Sequence, residues 1–368
     1  MNILITGSKG FIGKNLINYL NDNYDFNIIE YLKNEDINSL EKKLMKSDFI
    51  IHLAGVNRPK YKKLFNEVNI KLTNSICDLL IKNSHKIPII FSSSTQYELD
   101  NDYGKSKLKG ENILCQLNIE NKNPVHIFRL PGVFGKWSRP NYNSVIATFC
   151  YNIANGKNIQ ISDPKKELKL VYIDDVVKSF CNLINKNLKG LYYRQVKPEY
   201  KISLKDLANK IEKFKMGRKN LLIDNVGQGI NRKLYATFIS FISESEFCYD
   251  LPEYIDKRGK FIEILKNRDS GQLAYFTANP GFTRGGHYHN TKTEKFIVIS
   301  GKAKFNFKNL DTGKNYEIFV SGNEPKVIDS IPGWVHNITN VGKDELKVIL
   351  WSSEIFDKEN PDTFQKEV

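Results

Sequence analysis

Ile3-Leu4-Ile5-Thr6-Gly7-Ser8-Lys9-Gly10-Phe11-Ile12-Gly13 decides how the first half of this chain is read. Its first four residues are apolar or β-branched and read as a strand that stops at glycine. Ile12, Leu16 and Leu20 then recur at helical spacing, so a helix follows the turn. A glycine-rich turn between strand and helix lets backbone approach a pyrophosphate at the positive helix end. Gly7, Gly10 and Gly13 therefore predict a dinucleotide site at the start of a doubly wound α/β sheet.

Working outward, Phe26-Asn27-Ile28-Ile29-Glu30 reads as the second strand, and Glu30 stands where a ribose-binding carboxylate would sit. Lys33 follows closely and suits a 2′-phosphate instead, which tilts the expectation from NADH towards NADPH. Asp36 precedes a helix and serves equally as an N-cap or as a contact to adenine. The third strand, 48–52, runs into Leu53-Ala54-Gly55, whose small residues suit close passage of a cofactor. His52 reads as a structural strand-end histidine. Phe65, Val68, Leu72, Ile76, Leu79 and Leu80 then mark one long core helix.

A fourth strand, 87–91, opens onto Ser92-Ser93-Ser94-Thr95, placing a hydroxyl at the carboxyl end of a parallel strand, where ligands bind. Asp102-Tyr103-Gly104-Lys105-Ser106-Lys107 follows. Tyr103 and Lys107 are four apart and share one helix face. An ammonium beside a phenol favours the phenolate, so the expectation is a Tyr103 pKa lowered by Lys107. Such a phenol can protonate the alkoxide that forms when a ketone is reduced.

These motifs together resemble the extended short-chain dehydrogenase/reductase family. Arg129-Leu130-Pro131-Gly132-Val133-Phe134-Gly135 and Val171-Tyr172-Ile173-Asp174-Asp175-Val176 extend the match to about residue 240. The resemblance implies a nicotinamide dinucleotide and a nucleotide-sugar substrate. It makes Tyr103 the acid/base and has Lys107 hold the nicotinamide ribose. Ser94 then hydrogen-bonds the reacting oxygen, with Ser93 or Thr95 as alternatives within the run. Dehydratases of this family carry an Asp-Glu pair after the threonine, whereas here Thr95 precedes Gln96-Tyr97. Dehydration is thereby disfavoured, leaving reduction or 4-epimerisation. The aromatic and basic run 136–143 suits a uracil and a diphosphate, and 144–235 suits a small substrate lobe.

From about Phe247 the texture changes to short strands separated by glycine- and asparagine-rich turns. The expected organisation is a reductase domain over 1–245 and an all-β barrel over 246–368. His287 and His289 alternate on one strand face, with Glu294 five residues later and His336 downstream, a donor set suited to zinc or another divalent first-row metal. Gly281-x5-His287-x-His289-x4-Glu294-x6-Gly301 and Pro332-Gly333-x2-His336-x3-Asn340 resemble the two cupin motifs, the second with one residue missing between proline and glycine. Asp256-Lys257-Arg258-Gly259 and Arg284-Gly285-Gly286-His287-Tyr288 also resemble the metal-free nucleotide-sugar 3,5-epimerases. That second resemblance makes His287 a base and has Arg284 steady an enolate. His287 thus has two assignments, ligand or base.

The chain has 368 residues, a net charge of +14 and five cysteines without a CxxC pair. Dispersed lysines with no basic face exclude a nucleic-acid module. No apolar run approaches the roughly 18 residues of a membrane span, and no signal peptide precedes the first strand, so the cytoplasm is expected. The two halves together resemble bifunctional enzymes of capsular polysaccharide synthesis. That resemblance implies C3 epimerisation of a UDP-2-acetamido-2,6-dideoxy-4-hexulose at the cupin, NADPH-dependent C4 reduction to the L-talose product, zinc, and a homodimer or homotetramer. The alternative is a single-activity 4-ketoreductase whose cupin binds sugar or assembles the oligomer.

Overall fold

The structure, a computed structural model, describes residues 1–368. The chain divides into two compact units, Met1–Ile211 with Arg232–Ile242, and Glu212–Asn231 with Ser243–Val368.

In the first unit β1 (Asn2–Thr6) alternates strictly: Ile3 and Ile5 join one core cluster and Leu4 the opposite one. A strand buried on both faces belongs in a sheet covered by helices on both sides. The chain continues through α1 (Phe11–Asn23), β2 (Asn27–Tyr31), α2 (Ile37–Met45), β3 (Phe49–His52), α3 (Leu72–Lys82), β4 (Ile89–Ser94), α4 (Asp102–Asn121) and β5 (Val125–Leu130). Then come β6 (Gly132–Phe134), α5 (Val145–Ala154), β7 (Glu167–Tyr172), α6 (Ile173–Ile184), β8 (Leu191–Arg194) and β9 (Tyr200–Ser203). Last are α7 (Leu204–Asn220), which passes into the second unit after Ile211, and α8 (Gly229–Ile239), which belongs to the first from Arg232 on. Six strands form one parallel sheet in the order β2-β1-β3-β4-β5-β8, and β6, β7 and β9 form a small second one.

Leu16 and Leu20 of α1 pack with Val176, Val177 and Phe180 of α6 over one face of the main sheet. Leu40, Leu44, Ile76, Leu80, Leu114 and Leu117, from α2, α3 and α4, cover the other. Strand order reverses between β1 and β3, which creates a crevice at their carboxyl ends. Gly7, Leu53 and Ser94 all lie at that edge.

One expected element differs. The helix after β3 is not α-helical throughout: Phe65–Lys71 is a π-helix that passes into α3 at Leu72. The wider turn brings Asn69 inward, where it is buried and bonded on both sides. Its Oδ1 accepts from the Val56 N–H (2.8 Å), and its Nδ2 donates to the Val56 carbonyl (2.9 Å) and Ser106 Oγ (2.9 Å). Hydrophobic spacing marked the helix but carried no signal for the extra residue per turn.

The second unit is built from β10 (Glu253–Asp256), β11 (Gly259–Asn267), β12 (Gly271–Ala278), β13 (Thr283–Tyr288), β14 (Glu294–Ser300) and β15 (Lys302–Asn309). It continues with β16 (Asn315–Ser321), β17 (Val327–Asp329), β18 (Trp334–Asn340), β19 (Leu346–Ser352) and β20 (Phe364–Gln365). Two antiparallel sheets result, β10-β11-β12-β19-β14-β17 and β16-β15-β18-β13-β20. Period-two alternation sends Ala303, Phe305 and Phe307 of β15 inward to meet Phe276, Phe296, Ile338 and Val348. This is the antiparallel cupin architecture.

Candidate functional site

The crevice of the first unit is lined by backbone. Gly7 has φ +71°, and a Cβ there would stand 2.6 Å from the Ala54 nitrogen; one on Gly13 would stand 2.4 Å from the Gly7 carbonyl. Only glycine permits that closeness. Gly10 caps α1 with no side-chain bond, and the first turn has no acidic residue. The free N–H groups at this positive helix end are therefore open to an anion. These features fit a dinucleotide pyrophosphate.

Around the adenosine end, Glu30 closes β2 and pairs with Lys9 of the glycine-rich turn (2.7 Å), whose hydrogen bond holds the Glu30 carboxyl below its ordinary pKa. Lys33 is exposed. Asp36 is occupied as a helix cap, accepting from the Ser39 N–H at 2.7 Å. Along β3's end, the Leu53 N–H donates to the Thr6 carbonyl (3.1 Å) and the Ala54 N–H to Thr6 Oγ1 (3.2 Å). His52 is buried between Thr6 Oγ1 (2.6 Å) and Thr73 Oγ1 (3.0 Å), with both ring nitrogens engaged. Burial pulls its pKa down to about 3, as a neutral structural histidine requires.

The serine run separates its members. Ser92 offers its carbonyl to Lys107 Nζ at 2.8 Å. Ser93 donates to Glu111, which is fully buried and held by Arg129 (Nη2 to Oε2, 2.7 Å). Arg129 in turn is sandwiched between the Tyr97 and Tyr193 rings, at 3.6 and 4.0 Å from their centroids. Thr95 is exposed. Ser94 alone in the run is hydrogen-bonded to Tyr103, and it also accepts from the Gln96 N–H at 3.2 Å.

Tyr103 and Lys107 lie one turn apart on α4. The helix is pressed onto the 95–98 turn at Gly104, where a Cβ would meet the Gln96 carbonyl at 2.1 Å. The expected lowering of the phenol by the ammonium does not occur. Burial raises the Tyr103 pKa, the Ser94 bond opposes this, and Tyr142 adds to it. Lys107 is itself buried, bonded to the Ser92 carbonyl and 4.9 Å from the Phe91 ring centroid; burial pulls it down to about 8. Gly55 passes beside it, since a Cβ there would stand 3.2 Å from Lys107 Nζ and 3.3 Å from Asn69 Oδ1. Asn69 and Glu111 are the residues that sequence reasoning missed. Glu111 follows Lys107 by four on the same helix, a signal that was available; Asn69 had none.

The loop 136–143 lies at the same crevice. Arg58 donates to the Tyr142 carbonyl at 3.0 Å, Arg139 stacks on the Tyr142 ring at 5.1 Å, and Trp137 is half exposed.

In the second unit, β13 and β18 pair so that His287 stands opposite His336. Gly285 and Gly286 both have positive φ and form a bulge just before His287. A Cβ at Gly285 would be 2.9 Å from the His336 carbonyl. The bulge re-aims the strand so that His287 joins His289, Glu294 and His336 in one cluster. All candidate ligand atoms lie within 4.8 Å of one another. Glu294 Oε2 is 3.1 Å from His289 Nε2 and 3.3 Å from His336 Nε2. Burial would raise the Glu294 carboxyl, but these two histidines hold it well below the usual range. Burial pulls His287 down to about 4, so its ring is neutral at pH 7.

His336 Nδ1 is buried without a hydrogen-bond partner, and its buried Nε2 has only the Glu294 carboxylate beside it, at 3.3 Å. Buried polar atoms are rarely left so, and three imidazoles with a carboxylate are a sound donor set for zinc or a similar ion. The residues fit a metal. Arg284 is placed differently from the enolate-steadying expectation: its Nε donates to the Thr277 carbonyl (2.7 Å), its Nη2 to the Lys260 carbonyl (3.2 Å), and its plane lies over Phe276. Backbone acceptors on β11 and β12 thus occupy much of the guanidinium.

Comparison with known proteins agrees with this geometry. Residues 3–196 match the NAD dependent epimerase/dehydratase family and residues 254–364 the polysaccharide biosynthesis C-terminal domain. A UDP-2-acetamido-2,6-beta-L-arabino-hexul-4-ose reductase from Pseudomonas aeruginosa is 47% identical over 99% of this chain and 98% of its own. The crystal structure of the capsular polysaccharide assembling protein CapF from Staphylococcus aureus superposes with a TM-score of 0.91 at 40% identity, covering 100% of both chains. A UDP-glucuronic acid 4-epimerase from Bacillus cereus, 22% identical, shares the fold over 59% of this chain and 84% of its own, with a TM-score of 0.51. No helix is long and apolar enough to cross a membrane. The chain therefore belongs to the NAD dependent epimerase/dehydratase family, in the form that carries a polysaccharide biosynthesis C-terminal domain.

Proposed function

We propose that this protein is a bifunctional nucleotide-sugar enzyme of capsule or surface polysaccharide synthesis. Its cupin epimerises a UDP-2-acetamido-2,6-dideoxy-4-hexulose at C3, and its first unit reduces the C4 ketone to UDP-2-acetamido-2,6-dideoxy-L-talose. The carrying observation is that one chain holds both a Ser94–Tyr103 pair at a dinucleotide crevice and a buried cluster of three histidines and a glutamate. The whole-length likeness to a 4-hexulose reductase supports the substrate class.

Chemistry sets the order. A C3 proton is acidic only while C4 is a ketone, because only then is the enolate stabilised. Epimerisation must precede reduction. In the cupin a base takes the C3 proton, and a proton returns on the opposite face, so the formula is unchanged. Neutral His287 is suited to be that base or to be a ligand. A divalent metal held by His287, His289, Glu294 and His336 would supply positive charge to the enolate oxygen. Arg284 retains only part of its donor capacity for that purpose.

At the reductase site Ser94 donates to the C4 oxygen and Tyr103 protonates it as the ketone becomes an alcohol. Burial keeps the phenol protonated until then. A nicotinamide dinucleotide bound in the crevice would supply the hydride, and Lys107, with Asn69 and Gly55 beside it, would hold its ribose. Lys9 beside Glu30, and an exposed Lys33 three residues along the chain from Glu30, favour NADPH over NADH.

A second reading, a single-activity reductase with a sugar-binding or assembling cupin, is favoured by the occupied Arg284 guanidinium. Product stereochemistry separates them. With substrate and NADPH, the bifunctional enzyme gives the L-talo product by NMR, and the chelated enzyme a product unchanged at C3. The single-activity reading requires unchanged C3 in both.

A further inference from the structure

The last residues of the chain return to the histidine cluster. β20 pairs with β13, setting Gln365 opposite His287 and Phe364 opposite Tyr288, and the Lys366 N–H donates to the Gly286 carbonyl at 3.0 Å. The Phe364 ring stacks on Tyr288 at 5.2 Å. Asp362, just before β20, grips the turn that carries His289. Its Oδ1 accepts from the Asn290 N–H (2.9 Å). Its Oδ2 accepts from the Thr291 N–H (2.6 Å), Thr291 Oγ1 (2.9 Å) and the Lys292 N–H (2.7 Å). The buried Lys292 ammonium closes the arrangement on Thr363 Oγ1 at 2.7 Å.

The main-chain carbonyl of Asp362 meets His289 Nδ1. A carbonyl can only accept, so this bond puts a proton on Nδ1; in the neutral ring Nε2, 3.1 Å from Glu294 Oε2, is then the atom left to ligate an ion in the cluster. Ligand histidines are commonly fixed in this way by a partner on the other nitrogen. Here the partner lies 73 residues away along the chain and is held by a carboxylate that accepts four hydrogen bonds.

We propose that residues 362–366 form a strap that presets the metal site, with Asp362 as its positioning residue. The Asp362 carboxylate seats the strap on the 290–292 turn, the Asp362 carbonyl orients His289, and the β20 pairing steadies His287. A divalent ion is then held tightly only while the strap is seated. This inference rests on the metal reading of the cluster.

The test uses full-length apoprotein titrated with Co2+ as a visible probe and with Zn2+ in competition against a chromophoric chelator. Wild type, Asp362→Ala, Asp362→Asn and a chain ending at Asn360 are compared. Wild type should bind with a tetrahedral d–d band. Asp362→Ala and the truncation should bind about 10–100-fold more weakly with an altered band, the scale of losing a ligand's outer partner. Asp362→Asn, with one acceptor kept, should fall between. A lowered apoprotein melting temperature with wild-type affinity and spectrum would make the strap merely structural and overturn the proposal. Failure of the wild type itself to bind would refute the metal reading, and the strap with it. If the variants do not fold, nitrogen NMR of wild-type His289 decides: protonated Nδ1 and metal-bound Nε2 are required, and metal on Nδ1 contradicts the strap.

Discussion

The two sites are built in opposite ways. Ser94, Tyr103 and Lys107 come from a single stretch of chain, on the end of β4 and the first turns of α4. The cupin cluster draws on β13, β14 and β18 and is closed by residues near the C-terminus. The first buries a cation, Lys107, against a carbonyl and a ring; the second buries an anion, Glu294, between histidines. A local site depends on one helix being seated. An assembled site depends on long-range strand register, and distant chain can break it.

The largest expected break is at Tyr103. Tyr103→Phe removes the proton donor and should lower the reduction rate by about 10²–10⁴-fold, measured as loss of nicotinamide absorbance, with metal content unchanged. A loss of metal in that variant would contradict the independence of the two sites. Conversely, Glu294→Gln should release the metal, exceeding the roughly 10–100-fold affinity loss typical of an outer partner, while NADPH affinity by fluorescence titration stays at the wild-type value.

Stability sharpens the contrast. Arg129→Ala leaves Glu111 charged, fully buried and paired only to Ser93, and should destabilise the first unit by about 3–5 kcal/mol in denaturant melts. Cupin metal affinity should not move.

The smallest effect is in the pH dependence of Lys107. Its folded pKa is about 8 against an ordinary 10.5, so between those values the unfolded chain binds more protons than the folded one. Burial of the ammonium therefore opposes folding fully below about pH 8, and that opposition fades as pH rises. Relative to Lys107→Met, apoprotein stability should rise by about 3 kcal/mol between about pH 8 and pH 10.5 and stay flat below it. A flat difference across the whole range would mean the ammonium is better solvated than its surroundings indicate.

The same contrast explains what the sequence disclosed. Gly7, Gly10 and Gly13, the alternation of β1 and the four-residue spacing of Tyr103 and Lys107 all encode local geometry, so they were legible directly. His287, His289, Glu294 and His336 were legible only as a spaced set, because strand pairing that brings 287 to 336 leaves no local trace. Three things were hidden. The π-helix that turns Asn69 inward has no periodic signature. The Tyr103 pKa is set by burial, which spacing does not report, so the expected lowering by Lys107 was wrong. Asp362 orients His289 through its backbone carbonyl, an atom common to every residue, and its carboxylate binds a turn some 70 residues away.

The most direct test of two cooperating sites is an NMR time course in D2O. Tyr103→Phe protein is incubated with a UDP-2-acetamido-2,6-dideoxy-4-hexulose, with and without chelator. Deuterium should enter at C3, and this exchange should vanish on chelation or in the double variant with Glu294→Gln. No exchange from a folded, metal-loaded protein would contradict the account and leave a reductase carrying a binding domain.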